Sequence, residues 1–174
     1  HVANTMPAPY YRFDGVDDTI IYSGTPISSY PFSLSAWFNT ETTTTGFIFG
    51  LYDVSEANQY MTIDMIADGS IQGTARNTGS DLITSSGTYS DGKWHFATIV
   101  YTSATSRELY VDGISVGTDT SSTTCPTGLD KVVFGYRGSS SADYYFDGLI
   151  SGGQVWNKAL TAAEVKELYS GASV

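Results

Sequence analysis

The sequence predicts an all-β fold: antiparallel strands stacked as a sandwich or barrel, closed by one short C-terminal helix. Three observations lead there. The 174 residues include 22 Ser, 22 Thr, 13 Tyr and 18 Gly, a composition that favours strands and turns over helices. Short apolar runs, several alternating with period two, are separated by turn clusters without helical patterns between them. Two-residue Asp-Gly steps also stand between paired runs, as at Asp112-Gly113 and Asp68-Gly69, the signature of type I′ hairpins.

In chain order, residues 1–9 (HVANTMPAP) carry two prolines and no periodicity and read as a tail or linker, so the folded unit is expected over 10–174. Strands are expected at 10–13, 19–22, 32–39, 47–51, 59–66, 70–75, 93–101, 107–111, 114–118, 131–136 and 145–156. In FSLSAWFN, Phe32, Leu34, Ala36 and Phe38 share one face. In WHFATIVY, Trp94, Phe96, Thr98 and Val100 face one way, and His95, Ala97, Ile99 and Tyr101 the other. Both faces are largely apolar, which places this strand centrally between two layers. Thr161-Ala162-Ala163-Glu164 is a capping box, Val165, Leu168 and Tyr169 form one helix face, and Gly171 stands where the helix should end. The expected core is Phe13, Leu34, Trp37, Phe38, Phe49, Phe96, Val100, Leu109, Val111, Phe134, Phe146, Ile150 and Trp156.

Charge and cysteine content remove several functions. Eight basic against 18 acidic residues give a net charge of −10, which repels a phosphate backbone and disfavours nucleic acid and anionic membrane surfaces. No apolar stretch approaches the roughly 20 residues of a spanning helix, so no membrane insertion is expected. The single cysteine, Cys125, cannot form an internal disulfide and reads as a free thiol. A start at His1 without a charged-then-apolar leader reads as a mature fragment or an excised domain.

Four phrases in order carry a family likeness: RFDGVDD (12–18), DGKWHFATIVY (91–101), ELYVDGISVG (108–117) and YYFDGLISGGQVWNKALTAAEVKELY (144–169). Together they resemble the laminin-G-like jelly rolls of the concanavalin A-like lectin/glucanase superfamily, over about residues 10–170. The resemblance implies a jelly roll of two curved antiparallel sheets packed face to face, with the N- and C-terminal strands adjacent. It further implies an accessory module of a secreted, cell-surface or virion protein, whose partner is a glycan or a surface protein. Relatives often hold Ca²⁺ where the first and last strands meet. The matching positions are Asp14, Asp17, Asp18 and Asp147, hard oxygen donors of the kind calcium takes. Many relatives read G-x-I-D-D/E after the final F-x-G, whereas this chain has Ser151-Gly152 there. The bland alternative makes Asp14-Gly15 and Asp147-Gly148 turns and Asp17-Asp18 a solvated loop.

The glucanase branch requires a separate test. Retaining glycosidases need two carboxylates about 5 Å apart, and the glucanase relatives place them as Glu-x-Asp-x-Glu on one strand. The five glutamates (41, 56, 108, 164 and 167) supply no such pair, and Thr62-Ile63-Asp64-Met65-Ile66 offers one carboxylate with no partner two residues away. His95 lies inside a strand, where a satisfied core role is the simpler reading. The legume-lectin metal stretch and a phosphate loop are both absent. The expectation is therefore a non-catalytic protein.

Sugar sites stack rings on aromatic faces and bind hydroxyls with planar polar groups. One aromatic loop holds Tyr136, Arg137, Asp143, Tyr144 and Tyr145. A second segment holds Tyr52, Asp53, Asn58 and Tyr60, with Arg76 just past the following strand. Two functions follow: a lectin-like carbohydrate-binding module, or a structural or adhesive protein-interaction domain such as a capsid decoration, fibre or surface scaffold. A groove with exposed loop aromatics favours the first; inward-packed tyrosines beside a flat Thr-rich face favour the second.

Overall fold

A computed structural model describes residues 9–56, 58–137 and 144–171. Twelve strands run in the order β1 (Tyr10–Asp14), β2 (Ile20–Ser23), β3 (Phe32–Asn39), β4 (Gly46–Tyr52), β5 (Gln59–Met65), β6 (Ser70–Asn77), β7 (Gly79–Thr88), β8 (His95–Ser103), β9 (Ser106–Val111), β10 (Ile114–Asp119), β11 (Lys131–Phe134) and β12 (Asp147–Trp156), followed by helix α1 (Ala162–Ser170). They form two six-stranded sheets, β1-β12-β3-β8-β9-β10 and β2-β11-β4-β5-β6-β7, antiparallel at every pairing. β1 lies on β12 in the register Tyr10↔Ser151 to Asp14↔Asp147, so the two ends of the chain meet as the family likeness implies. This is the two-sheet jelly roll.

Alternation builds the core between the sheets. Phe32, Leu34, Ala36 and Phe38 of β3 meet Ile48, Phe49 and Leu51 of β4, with Met61, Ile63 and Met65 of β5 beside them. Phe13, Leu109, Val111, Phe146 and Ile150 lie in the same cluster, and Phe134 packs against it half-buried. Gly73 lets the sheets lie close, since a Cβ there would run into the side chain of Ile99.

Four expected core residues sit elsewhere. Phe96 and Val100 are buried on the opposite face of β8, and Trp37 and Trp156 are half-buried there. That face carries a second small core of Val100, Tyr110, Leu160 and Val165, into which Trp156 and Leu168 pack. The rings of Phe96 and Tyr169 flank Trp37 at 5.1 and 5.7 Å. Ser33 Oγ donates to Lys158 O and accepts from Leu160 N, while Trp156 Nε1 donates to Ser35 Oγ, so the C-terminal segment is tied down over the sheet. A strand apolar on both faces therefore lies between a sheet and a helix. The helix is capped as expected: Glu164 N donates to Thr161 Oγ1, Thr161 N donates to Glu164 Oε2, and Gly171 closes it at φ 77°.

One turn and one strand depart from the sequence reading. Asp112-Gly113 is type I′ as expected, with φ 52° and 76°. At Asp68-Gly69 only the glycine has positive φ, and Gly69 N donates to Ile66 O, so that hairpin is a longer turn with the glycine in the left-handed position. The unexpected strand is β7, which includes a hydroxyl-rich SDLITSSG stretch outside the expected strands. Ile83 and Ser85 nevertheless point inward, and Ser85 Oγ accepts from Ile71 N where the β6–β7 register shifts.

Candidate functional site

The two aromatic segments, some eighty residues apart in sequence, converge on the outer face of the β2–β7 sheet. On β4 the register slips between Phe47 and Phe49, which leaves Phe49 in the core and puts Phe47 in a separate outer cluster with Tyr52, Tyr60 and Val133. Tyr52 and Tyr60 stack at 5.5 Å, and the Phe47 ring stands 6.3 and 6.0 Å from them. Tyr136 packs against this cluster and stacks on Tyr145 at 5.0 Å. Tyr144, held at φ 78°, sets its ring 5.9 Å from Phe47 and leaves it 45% exposed. A non-glycine residue in that conformation carries backbone strain of the sort concentrated at functional positions.

Two cations face these rings. The Arg137 guanidinium lies 5.1 Å from the Tyr144 centroid and 5.9 Å from that of Phe47. Arg76 lies 5.6 Å from the Tyr60 centroid and donates through Nη1 to the Tyr60 hydroxyl at 3.0 Å. Asn58 is exposed at the margin. Asp53 is buried and serves a turn, its Oδ1 accepting from Ser55 N and Ser55 Oγ. Asp143 lies outside the described residues. Tyr52 and Tyr60 thus form the floor, and Tyr144 with the Tyr136–Tyr145 pair forms the accessible part.

Residues that sequence reasoning did not place in the site are Phe47, the hub of the cluster, and Asp64. Asp64 pairs with Phe47 across β4–β5 and lies buried, its Oδ2 accepting from Thr62 Oγ1 at 2.9 Å and Thr74 Oγ1 at 2.6 Å. Burial pushes its carboxyl up to about 7. The two threonine hydroxyls and the charge of Arg137 act in the opposite direction. The signal for Asp64 was present in sequence as a carboxylate on the same strand face as Thr62, with Ile63 and Met65 alternating against it.

Of the four aspartates matched to calcium, three come together. Carboxylate oxygens of Asp14, Asp17 and Asp18 lie within 4.8 Å of one another, all exposed. Asp14 Oδ1 accepts from Val16 N and Asp17 N, and Asp18 Oδ2 accepts from Asp14 N. The first two of these bonds lead in holding the Asp14 carboxyl below its ordinary range. Asp147 is the cross-strand partner of Asp14, but its carboxylate stands 3.6 Å from Arg12 Nη2. Hard oxygens in a tight group match calcium chemistry, and the same turn is also held by its own backbone bonds.

His95 is satisfied rather than free. Its Nδ1 lies 2.8 Å from Asp112 and its Nε2 3.0 Å from Asp91. Among the described residues, no helix is long and apolar enough to cross a membrane.

The fold and this face define a jelly-roll domain of laminin-G type. The chain belongs to the concanavalin A-like lectin/glucanases superfamily, whose laminin-G family model matches residues 14–166. No curated protein matches it by sequence. Among solved structures it is similar to domain 4 of AbnA, an extracellular GH43 arabinanase from Geobacillus stearothermophilus in complex with arabinotriose (TM-score 0.78, 18% identity, 96% of this chain and 79% of that one). It is also similar to the heptameric SAP-like pentraxin of Limulus polyphemus (TM-score 0.75, 18% identity, 92% and 81%). A third likeness is the botulinum neurotoxin serotype D binding domain (TM-score 0.71, 17% identity, 93% and 42%), of whose length this chain spans less than half. At these identities the likeness shows the fold.

Proposed function

We propose that this chain is a non-catalytic, lectin-like carbohydrate-binding module of a secreted, cell-surface or virion protein, with its glycan site on the outer face of the β2–β7 sheet. The observation that carries this reading is the convergence of two distant aromatic segments under two arginines, with the strained Tyr144 ring left open to solvent. Tyr144 and the Tyr136–Tyr145 pair offer stacking faces, and Arg137, Arg76 and Asn58 offer hydrogen bonds at the margin. The arabinotriose complex of the arabinanase domain supports the class of ligand. The reading is non-catalytic because the sequence has no strand with the Glu-x-Asp-x-Glu spacing of the glucanase relatives.

Calcium, when bound, would supply charge neutralisation in the β1–β2 loop, held by Asp14, Asp17 and Asp18. That role is structural, since the loop lies at the meeting of the first and last strands.

One observation favours the protein-contact reading. The edge strands β1 and β2 expose Tyr10, Tyr11, Ile21 and Tyr22, beside an apolar cleft of about 320 Å³ lined by Tyr11, Ile20, Phe134 and Ile150. The decisive experiment is a glycan array followed by affinity gels, run with calcium and with chelator. Tyr136→Ala, Tyr144→Ala and Tyr145→Ala, each still folded, are expected to weaken retention. Retention unchanged in all three removes the site from this face, and a parent protein that binds no glycan leaves the protein-contact reading.

A further inference from the structure

We infer that Asp64 is the hydroxyl acceptor at the floor of this face and that, with Arg76, it selects a neutral oligosaccharide. The inference rests on the carbohydrate-binding reading and deepens it. Asp64 is 2% exposed, and its Oδ2 is filled by two threonine hydroxyls, yet its Oδ1 is buried with no hydrogen-bond partner among the described residues. Buried carboxylate oxygens are almost always bonded, so an unpaired acceptor beneath an aromatic cluster points to a group that arrives from outside.

The same face holds the complementary donor. Arg76 uses Nη1 on the Tyr60 hydroxyl, while its Nε is buried without an acceptor among the described residues. Arg76 pairs with Tyr60, and Asp64 stands four residues further along β5, a span of roughly 13 Å. That is longer than one pyranose ring. An acceptor and a donor so spaced, with aromatic rings between, complement a ligand carrying both O–H donors and oxygen acceptors along its length.

Charge sets the class. Where Asp64 is ionised, a carboxylated or sulfated sugar would bring an anion against a buried carboxylate, whereas a neutral hydroxyl donates to its Oδ1. Where it is protonated, Oδ2 is filled by the two threonine hydroxyls and Oδ1 carries the proton, which an uncharged sugar oxygen accepts. Asparagine would satisfy Thr62 and Thr74 equally well without burying an acid, so a purely structural role does not call for Asp at this position. Arg137 stands 5.9 Å from the ring centroid of Phe47, the cross-strand partner of Asp64.

The test uses affinity electrophoresis through gels of arabinan, other neutral glycans and polygalacturonate, with arabinotriose as soluble competitor. The parent is expected to be retarded by a neutral glycan and not by the polyanion. Asp64→Asn is expected to stay folded, with unchanged near-UV circular dichroism, and to lose at least tenfold in affinity; Asp64→Ser is read the same way should Asn disturb folding. An Asp64 variant that binds like the parent while Tyr144→Ala does not overturns the acceptor role and leaves the glycan site standing. Retention by the polyanion alone overturns neutral selection. A parent retained by no glycan overturns this inference together with the reading beneath it.

Discussion

Replacing Asp64 by Asn should stabilise the protein, and more so as the pH rises. The carboxyl is raised from an ordinary value of 3.8 to about 7 in the folded state, chiefly by burial. A folded-state value above the unfolded one means that the native fold prefers the protonated acid. Stability is therefore full below about pH 4, falls as pH climbs from about 4 to 7, and is flat above that. A rise of that size corresponds to an upper bound on the order of 4 kcal/mol at pH 8, and to well under half of that at pH 5. The amide removes the titration while its oxygen still accepts from Thr62 and Thr74, whose hydroxyls stand 2.9 and 2.6 Å from the carboxylate. Urea denaturation of parent and variant at pH 5 and pH 8 measures the difference. The advantage of the variant should be larger at pH 8 by at most roughly 2–3 kcal/mol. An equal difference at the two pH values would show that Asp64 does not titrate in this range and would refute the argument. A variant more stable than its parent yet poorer at binding is the expected mark of a group retained for function.

Three other outcomes follow from the geometry. Phe96→Ala should cost about 3–5 kcal/mol in urea denaturation, because Phe96 is 2% exposed against Trp37 under the C-terminal segment; a loss below about 1 kcal/mol would contradict that packing. For His95, burial lowers the pKa, but the bonds to Asp112 and Asp91 outweigh it and the net shift is upward. Its stabilising contribution is thus present below about pH 6.5 and lost as pH rises through the raised value, so the penalty of His95→Gln should be larger at pH 6 than at pH 9. Millimolar calcium should raise Tm, as any ligand of the folded state does, and Asp17→Asn should abolish the increment; indifference to both calcium and EDTA would leave Asp14, Asp17 and Asp18 as a hydrogen-bonded turn alone.

Much of the fold was legible because period-two alternation and turn residues are local signals. The 32–39 strand, the Asp112-Gly113 hairpin and the Thr161 cap appear where the sequence puts them. The misreadings have non-local causes. β7 has few apolar residues, and its strand character comes from pairing with β6 and from Ser85 standing in for a backbone acceptor. Trp37, Phe96, Val100 and Trp156 read as core residues because they are apolar, but alternation cannot say whether the second face of a strand meets a sheet or a helix.

The candidate site was legible as residue types and not as a place. Tyr144, Tyr145, Tyr136 and Arg137 could be singled out because aromatic, cationic loops suit sugars, and so could Tyr52, Tyr60 and Arg76. That these two sets share one face depends on β11 lying beside β4 and on β4–β5–β6 running antiparallel, pairings that no local pattern encodes. Phe47 belongs to an expected strand but to neither the expected core nor the expected site, and the register slip on β4 places it in the outer cluster. Asp64 shows the limit most clearly. In sequence it is a carboxylate that fails a two-carboxylate requirement, and the failure argues against glucanase chemistry. In space the same lone acid, buried beside Phe47 with one oxygen unfilled among the described residues, fits the hydroxyl-binding floor proposed for this face. In the proposed function the lone acid serves to hold a sugar hydroxyl, a role that needs no second acid beside it.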